Sequence, residues 1–206
     1  MIEVHHLNNS RSQRILWLLE ELELEYSLVS YQRDAQTNLA PDSLKAIHPL
    51  GKSPVVRDGA LQLYESGAIV EYILDRYGQG RLAPPRSSPD YLRYLQLLHF
   101  AEGSAMTPVL LKLYLTRLAQ AAEPLLPRVH SEIENNFGFL NAELGQADYF
   151  LGSELTAADV MLSFPVQAIR MLYTLDSFPK LAAWRERVTA RPAYARAIER
   201  GGPYLY

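Results

Sequence analysis

The chain has 206 residues, 48% of them apolar and 21% charged, enough for one large domain or two small ones built on a sizeable core. A formal net charge of −3 with scattered basic residues gives no footprint for nucleic acid or an anionic membrane surface, and no apolar run approaches the roughly 18 to 20 residues that span a bilayer. Cysteine is absent, which removes disulfides, thiolate metal sites and every mechanism with a protein thiol nucleophile, so any thiol chemistry here must bring its thiol with the ligand.

In chain order, Met1 is followed at once by strand-like Ile2-Glu3-Val4-His5 and no signal-peptide core, so a cytoplasmic location is expected. Ile2 to His6 predicts a short strand, left through Leu7-Asn8-Asn9. Residues up to Ser12 offer several helix caps, after which Ile15, Leu18, Leu19 and Leu22 recur at helical spacing with Glu20, Glu21, Glu23 and Glu25 mostly on the other face. Tyr26 to Tyr31 predicts a strand parallel to the first, Pro41 to His48 a short helix, and Val55 to Arg57 and Leu61 to Tyr64 a hairpin turning at Asp58-Gly59. Ser66 to Tyr77 is a helix striped by Ile69, Val70, Ile73 and Leu74 and stopped by Gly78. This βαβ, helix, ββα order predicts an α/β, thioredoxin-like domain over 1–78.

Proline, glycine and serine then concentrate in a linker over 79–89, and 90–206 reads as an all-helical domain. Its first helix, Tyr91 to Ala119, carries Tyr94, Leu95, Leu98, Ala101 and Ala105 inward and bends at Pro108. Glu123 to Leu144 is the second. Thr156 with Asp159 three residues on forms an acidic capping box, a folding element, so Asp159 is not a catalytic candidate. Two shorter helices follow, Phe178 to Thr189 and Pro192 to Arg200, and residues 201–206 form an extended tail.

The stretch His48 to Ile69 stands apart. Pro54 opens a strand although proline offers no N–H to a ladder, and a cis Ser53-Pro54 bond would turn the N–H and C=O of Ser53 outward to an extended ligand. Eleven residues after Pro54, Glu65-Ser66 closes a strand and opens a helix, with Ser66 a natural cap and the helix start able to hold a carboxylate.

Ser53-Pro54 with Glu65-Ser66, Ser10 four residues before Arg14 at the start of the first helix, and a helical second half together resemble the soluble glutathione transferases, over nearly the whole chain. The serine-type bacterial and fungal members are the nearest in pattern, since a tyrosine-type chain would carry its tyrosine where His5-His6-Leu7 stands. The resemblance implies a cytosolic homodimeric enzyme of detoxification, with glutathione as co-substrate and no metal. It implies Ser10 as the hydroxyl that stabilises the glutathione thiolate, with Ser12 as the other candidate and Ser10 open also to the plain reading of a helix cap. Glutathione would be held by Lys52, Ser53, Pro54, Glu65 and Ser66, with Lys52 equally readable as a solvated lysine and Glu102 reaching across a dimer interface. A small apolar electrophile would lie between the domains against Asn9, Met106, Leu110 and Tyr114.

Glutathione's thiol, like free cysteine with a pKa of about 8.5, must be ionised to attack, and a hydroxyl donor plus a helix N-terminus are inexpensive means to that end. Two other outcomes use the same site: peroxidase activity on organic hydroperoxides, and a non-catalytic glutathione- or ligand-binding regulator. His5, His6, His48, His99 and His130 show no ligand spacing with carboxylates, and adjacent His5 and His6 face opposite sides of a strand, so no metal site is expected.

Overall fold

The computed structural model describes residues 1–204; Leu205 and Tyr206, at the end of the expected tail, lie outside the described residues. The described chain divides into two compact units, one of residues 1–81 together with residues 189–204, the other of residues 82–188.

The first unit is built on a four-stranded sheet in the spatial order Tyr26–Tyr31, Ile2–Leu7, Val55–Asp58, Leu61–Tyr64. Strand β1 (Ile2–Leu7) pairs in parallel with β2 (Tyr26–Tyr31), Val4 opposite Leu28, and antiparallel with β3 (Val55–Asp58), Val4 opposite Val56. Strand β4 (Leu61–Tyr64) returns through a hairpin whose Gly59 has φ +61°, a conformation that costs glycine little. The βαβ crossover runs through α1 (Gln13–Glu21), which buries Ile15, Leu16, Trp17, Leu18 and Leu19. Short α2 (Asp42–Ile47) follows, and α3 (Ser66–Tyr77) buries Ile69, Val70 and Ile73 and ends at Gly78.

Helix α9 (Pro192–Gly201) belongs to this unit, where the sequence reading had assigned everything from 90 on to the helical domain. The acidic face of α1 explains the difference. Arg191 grips Glu21 through both carboxylate oxygens at 2.6 and 2.8 Å, Arg196 bonds Glu20 at 2.8 Å, and the Arg200 guanidinium sits 3.7 Å from the centre of the Tyr26 ring. Between these pairs Trp17 meets Tyr194 edge-on at 5.2 Å, and Gln13 donates to the Ala197 carbonyl at 2.7 Å. A side chain at Gly201 would collide with Gln13 and Leu16, so glycine lets the end of α9 lie directly on α1.

The second unit is helical: α4 (Asp90–Phe100), α5 (Met106–Leu115), α6 (Leu126–Glu143), α7 (Ala157–Ile169) and α8 (Pro179–Thr189). The long helix expected to bend at Pro108 is instead interrupted upstream by a π-helical turn, Ala101–Ala105, and Pro108 sits within the first turn of α5. A widened turn just before a proline relieves the clash of its ring with the preceding carbonyls. Beyond α5 a 3-10 stretch, Thr116–Ala122, ends the run. Tyr94 and Leu98 are buried as expected, but Leu97 rather than Leu95 completes the core face of α4.

Helix α7 is buried almost throughout, and its start is secured by Asp159, whose Oδ2 accepts from both the N–H and the hydroxyl of Thr156 at 3.0 Å. Oδ1 accepts from the Phe150 N–H at 3.1 Å and from the Trp184 indole at 2.9 Å. Among the described residues no helix is long and apolar enough to cross a membrane.

Candidate active site

Strand β1 ends against two of the segments singled out by sequence, Ser53-Pro54 and the serines before α1. Its residue Leu7 donates its N–H to the Ser53 hydroxyl at 3.1 Å, and that hydroxyl donates to the His5 carbonyl at 2.8 Å. The Ser53 side chain is thereby spent on β1. The Ser53-Pro54 bond is cis, and both strand ladders of β3 begin at Val55, so the N–H and C=O of Ser53 take no part in them. Lys52 beside it is exposed.

After β1 the chain turns through Asn8 and Asn9, and Arg33 pins the turn. Its N–H donates to Asn8 Oδ1 at 2.8 Å and its guanidinium to the carbonyls of Asn8 and Asn9 at 3.1 and 3.4 Å. Asn9 has φ +49°, tolerable for asparagine. The turn delivers Ser10 and Ser12 to the start of α1, where Ser12 is the N-cap position although its side chain makes no capping bond. The hydroxyls of Ser10 and Ser12 lie 2.7 Å apart, Ser10 also accepts from the Ser12 N–H at 3.3 Å, and Ser12 contacts His6 Nδ1 at 2.8 Å. The other imidazole nitrogen of His6 is 2.8 Å from the Gly201 carbonyl. Ser12 is fully buried at 0% exposure, while Ser10 retains 6%.

Ser66 was expected to cap α3. The structure instead puts Glu65 at the N-cap, with Ser66 the first helical residue and buried. Arg14, a buried residue of α1, donates its guanidinium to the Ser66 hydroxyl at 2.9 Å. Glu65 is exposed and holds φ 68°, ψ 118°, a region non-glycine residues rarely enter. Its carbonyl accepts from the Ile69 N–H at 3.0 Å, which leaves the N–H groups of Ser66, Gly67 and Ala68 as the open donors of the helix start. Ser10, Ser12, Ser53, Glu65 and Ser66 are therefore assembled on one unit by β1 and Arg14.

The remaining candidates lie in the second unit, except Asn9. Met106, at 3% exposure, is a core residue at the head of α5, so its side chain has little surface to offer a ligand. Leu110 is half-buried and Tyr114 exposed on the same helix. Glu102 lies on the π-helical turn. A cavity of about 780 Å³ in this unit is lined by Leu92, Gln96, Phe100, Gly103, Ser104 and Phe139 among others, and by none of Met106, Leu110 and Tyr114. Among the described residues no group of three or more His, Asp or Glu is placed to hold a metal ion.

Sequence reasoning missed His6 and Arg33. It weighed the histidines only as metal ligands, and Arg33 lay in a polar segment with no motif. His6 is buried, and burial pushes its pKa below the ordinary histidine value, partly offset by the bond to the Gly201 carbonyl.

Residues 1–75 match the family described as Glutathione S-transferase, N-terminal domain, and residues 123–187 match Glutathione S-transferase, C-terminal domain. Glutathione S-transferase 1 of Saccharomyces cerevisiae is 31% identical over 225 residues, covering 97% of this chain and 95% of the relative. Glutathione S-transferase GstB of Escherichia coli is 29% identical over 204 residues, covering 96% and 98%. The crystal structure of a glutathione S-transferase from Actinobacillus pleuropneumoniae superposes with a TM-score of 0.91 at 34% identity, over 100% of this chain and 94% of that one.

Proposed function

We propose the following reaction for this chain, which belongs to the glutathione S-transferase family: the thiolate of bound glutathione attacks a small apolar electrophile, with Ser10 donating the hydrogen bond that holds sulfur as the anion. What carries this reading is the buried hydroxyl pair at the start of α1, Ser10 and Ser12 at 2.7 Å, in a protein that has no thiol of its own. Ser10 is assigned in preference to Ser12 because Ser12 is fully buried and already engaged with His6. A donor to the thiolate and the positive end of α1 both favour the anion, and lowering the thiol pKa by two units takes about 2.7 kcal/mol, within reach of one charge-assisted bond and a helix dipole.

Glutathione is assigned to the first unit. The N–H and C=O of Ser53 would pair with the cysteinyl residue beside Pro54, the open N–H groups at Ser66 would take the γ-glutamyl carboxylate, Glu65 its ammonium group, and Lys52 the glycine carboxylate. The left-handed backbone of Glu65 supports this, since such conformations concentrate at ligand clamps. Leu110 and Tyr114 are assigned to the electrophile, and Met106 is a core residue of the same helix. The assembly proposed is a cytoplasmic homodimer, with Glu102 directed across the interface; a Glu102→Ala chain with unchanged glutathione affinity would contradict that assignment.

The test is steady-state turnover of the full chain with glutathione and an activated aryl halide, beside an organic hydroperoxide. Conjugation lost in Ser10→Ala supports the reading. Activity confined to the hydroperoxide would replace conjugation by peroxidase chemistry, and tight binding without turnover on either would make the protein a binder.

A further inference from the structure

The hydroxyl assigned to the thiolate is aimed away from it in the resting site. A carbonyl only accepts, so the 2.8 Å contact of His6 Nε2 with the Gly201 oxygen fixes the imidazole proton on Nε2. Nδ1 then carries a lone pair, and Ser12, at 2.8 Å, is its donor. A hydroxyl has one proton, so the 2.7 Å bond between the serines must use the proton of Ser10. One lone pair of Ser10 already accepts from the Ser12 N–H. What remains on Ser10 is a single acceptor site. It suits the S–H of a neutral thiol and opposes a thiolate.

This arrangement reverses if one proton moves, and the inference rests on the reading of Ser10 given above. We propose that His6 is a positioning residue that keeps the thiol proton inside the protein, with Ser10 and Ser12 as the relay. The S–H bond breaks as its proton passes to Ser10 Oγ, the Ser10 proton passes to Ser12 Oγ, and the Ser12 proton passes to His6 Nδ1. No electron is transferred and net charge is unchanged, since a thiolate and an imidazolium replace a thiol and an imidazole. Every bond of the chain is kept with its direction inverted. His6 donates to Ser12, Ser12 to Ser10, and Ser10 to sulfur. The Nε2–H bond to Gly201 serves both states, and a bond from imidazolium to a carbonyl is the stronger of the two.

The surroundings of His6 suit this. It faces Ser12 from α1 and the Gly201 carbonyl from α9, and no charged side chain contributes to its shift. Other titratable groups of this unit are committed elsewhere: His5 contacts Tyr31 at 2.8 Å and Glu3 at 3.1 Å, and Arg14 bonds Ser66. Burial favours the neutral form of His6 before ligand arrives, and a thiolate two hydroxyls away would raise its affinity for a proton.

The experiment counts protons. Calorimetric titration of the full chain with glutathione near pH 7, in two buffers of different ionisation enthalpy, gives protons released per ligand bound, and ultraviolet absorbance gives thiolate formed. The parent should form thiolate with proton release well below one per thiolate. Ser12→Ala should raise the bound thiol's pKa by about one unit and bring release up to match whatever thiolate forms, His6→Phe should do the same, and Ser12→Thr, which keeps the hydroxyl, should restore the parent behaviour. One proton released per thiolate in the parent, or a Ser12→Ala chain identical to it, overturns the relay. If Ser10→Ala raises the thiol pKa while Ser12→Ala does not, the relay alone fails; if Ser10→Ala leaves it unmoved, the reading of Ser10 falls and takes the relay with it.

Discussion

Replacing Asp159 by alanine should lower the melting temperature of the chain by about 10 °C without changing how folded molecules bind glutathione. The carboxylate is at 0% exposure and accepts four hydrogen bonds, from the Phe150 N–H, the Trp184 indole, and the Thr156 N–H and hydroxyl. The Thr156 hydroxyl can turn to another acceptor. The three N–H donors are fixed by backbone and by the Trp184 ring, which packs edge-on against Phe150 at 5.3 Å. Each of the three stranded donors costs about 1 to 1.5 kcal/mol, so the loss is about 3 to 4.5 kcal/mol. For a chain of this size each kcal/mol moves the midpoint by about 2 to 4 °C. Asp159→Asn keeps one carbonyl oxygen for Phe150 and Trp184 but turns an NH₂ group toward the Thr156 N–H, so it should lose roughly half as much. Thermal denaturation followed by circular dichroism, parent against both variants at pH 7, reads the effect directly. An Asp159→Ala chain melting within about 2 °C of the parent would refute the reasoning.

The docking of α9 on α1 should be sensitive to acid. Burial opposes ionisation of Glu20, but hydrogen bonds from Arg196, Tyr26 and Arg200 outweigh it and hold its carboxyl below the ordinary glutamate value. Its contribution is therefore complete above about pH 4.5 and lost as pH falls through the folded-state value; a urea-midpoint profile should drop in that range and flatten there in Glu20→Gln, and a midpoint that rises with acid would be the wrong sign. Histidine adds a second, higher window. His5 and His6 are both shifted down by burial, so the unfolded chain binds more protons than the folded one below about pH 6.5, and stability should already decline as pH falls from 6.5. Arg14→Met removes a buried guanidinium that donates to Ser66 at the start of α3 and to the Arg11 carbonyl, so both acceptors lose a partner. Glutathione affinity of the folded chain should fall about tenfold in calorimetric titration; unchanged affinity would detach Arg14 from the site.

Much of this molecule is legible from the residues because its signals are local. Val4, Val56 and the Asp58-Gly59 turn specify strands and hairpin through period-two burial and turn chemistry, and Thr156-x-x-Asp159 specifies a helix start within four residues. The serine at the head of α1 and the proline opening β3 are equally local, and so were visible. What was not legible depends on partners far along the chain. The Ser66 hydroxyl, read from sequence as the cap of α3, instead accepts from a guanidinium 52 residues away, while Glu65 takes the cap position. Helix α9 left the helical domain because arginines near the carboxyl terminus meet Glu20 and Glu21, about 170 to 180 residues earlier. His6 looked like one of two strand histidines until α9 supplied the Gly201 carbonyl that fixes its tautomer. The interruption at Ala101–Ala105 followed from a proline correctly noticed, but the backbone absorbed it one turn upstream.

The most direct test of the account is the ultraviolet absorbance of the glutathione thiolate, bound to the parent chain and to Ser10→Ala, across pH 5 to 9. A bound thiol ionising about two units below its free value, and rising by about 1 to 2 units when the hydroxyl is removed, is the predicted result. A bound thiol that titrates at the same pH in both chains would contradict it.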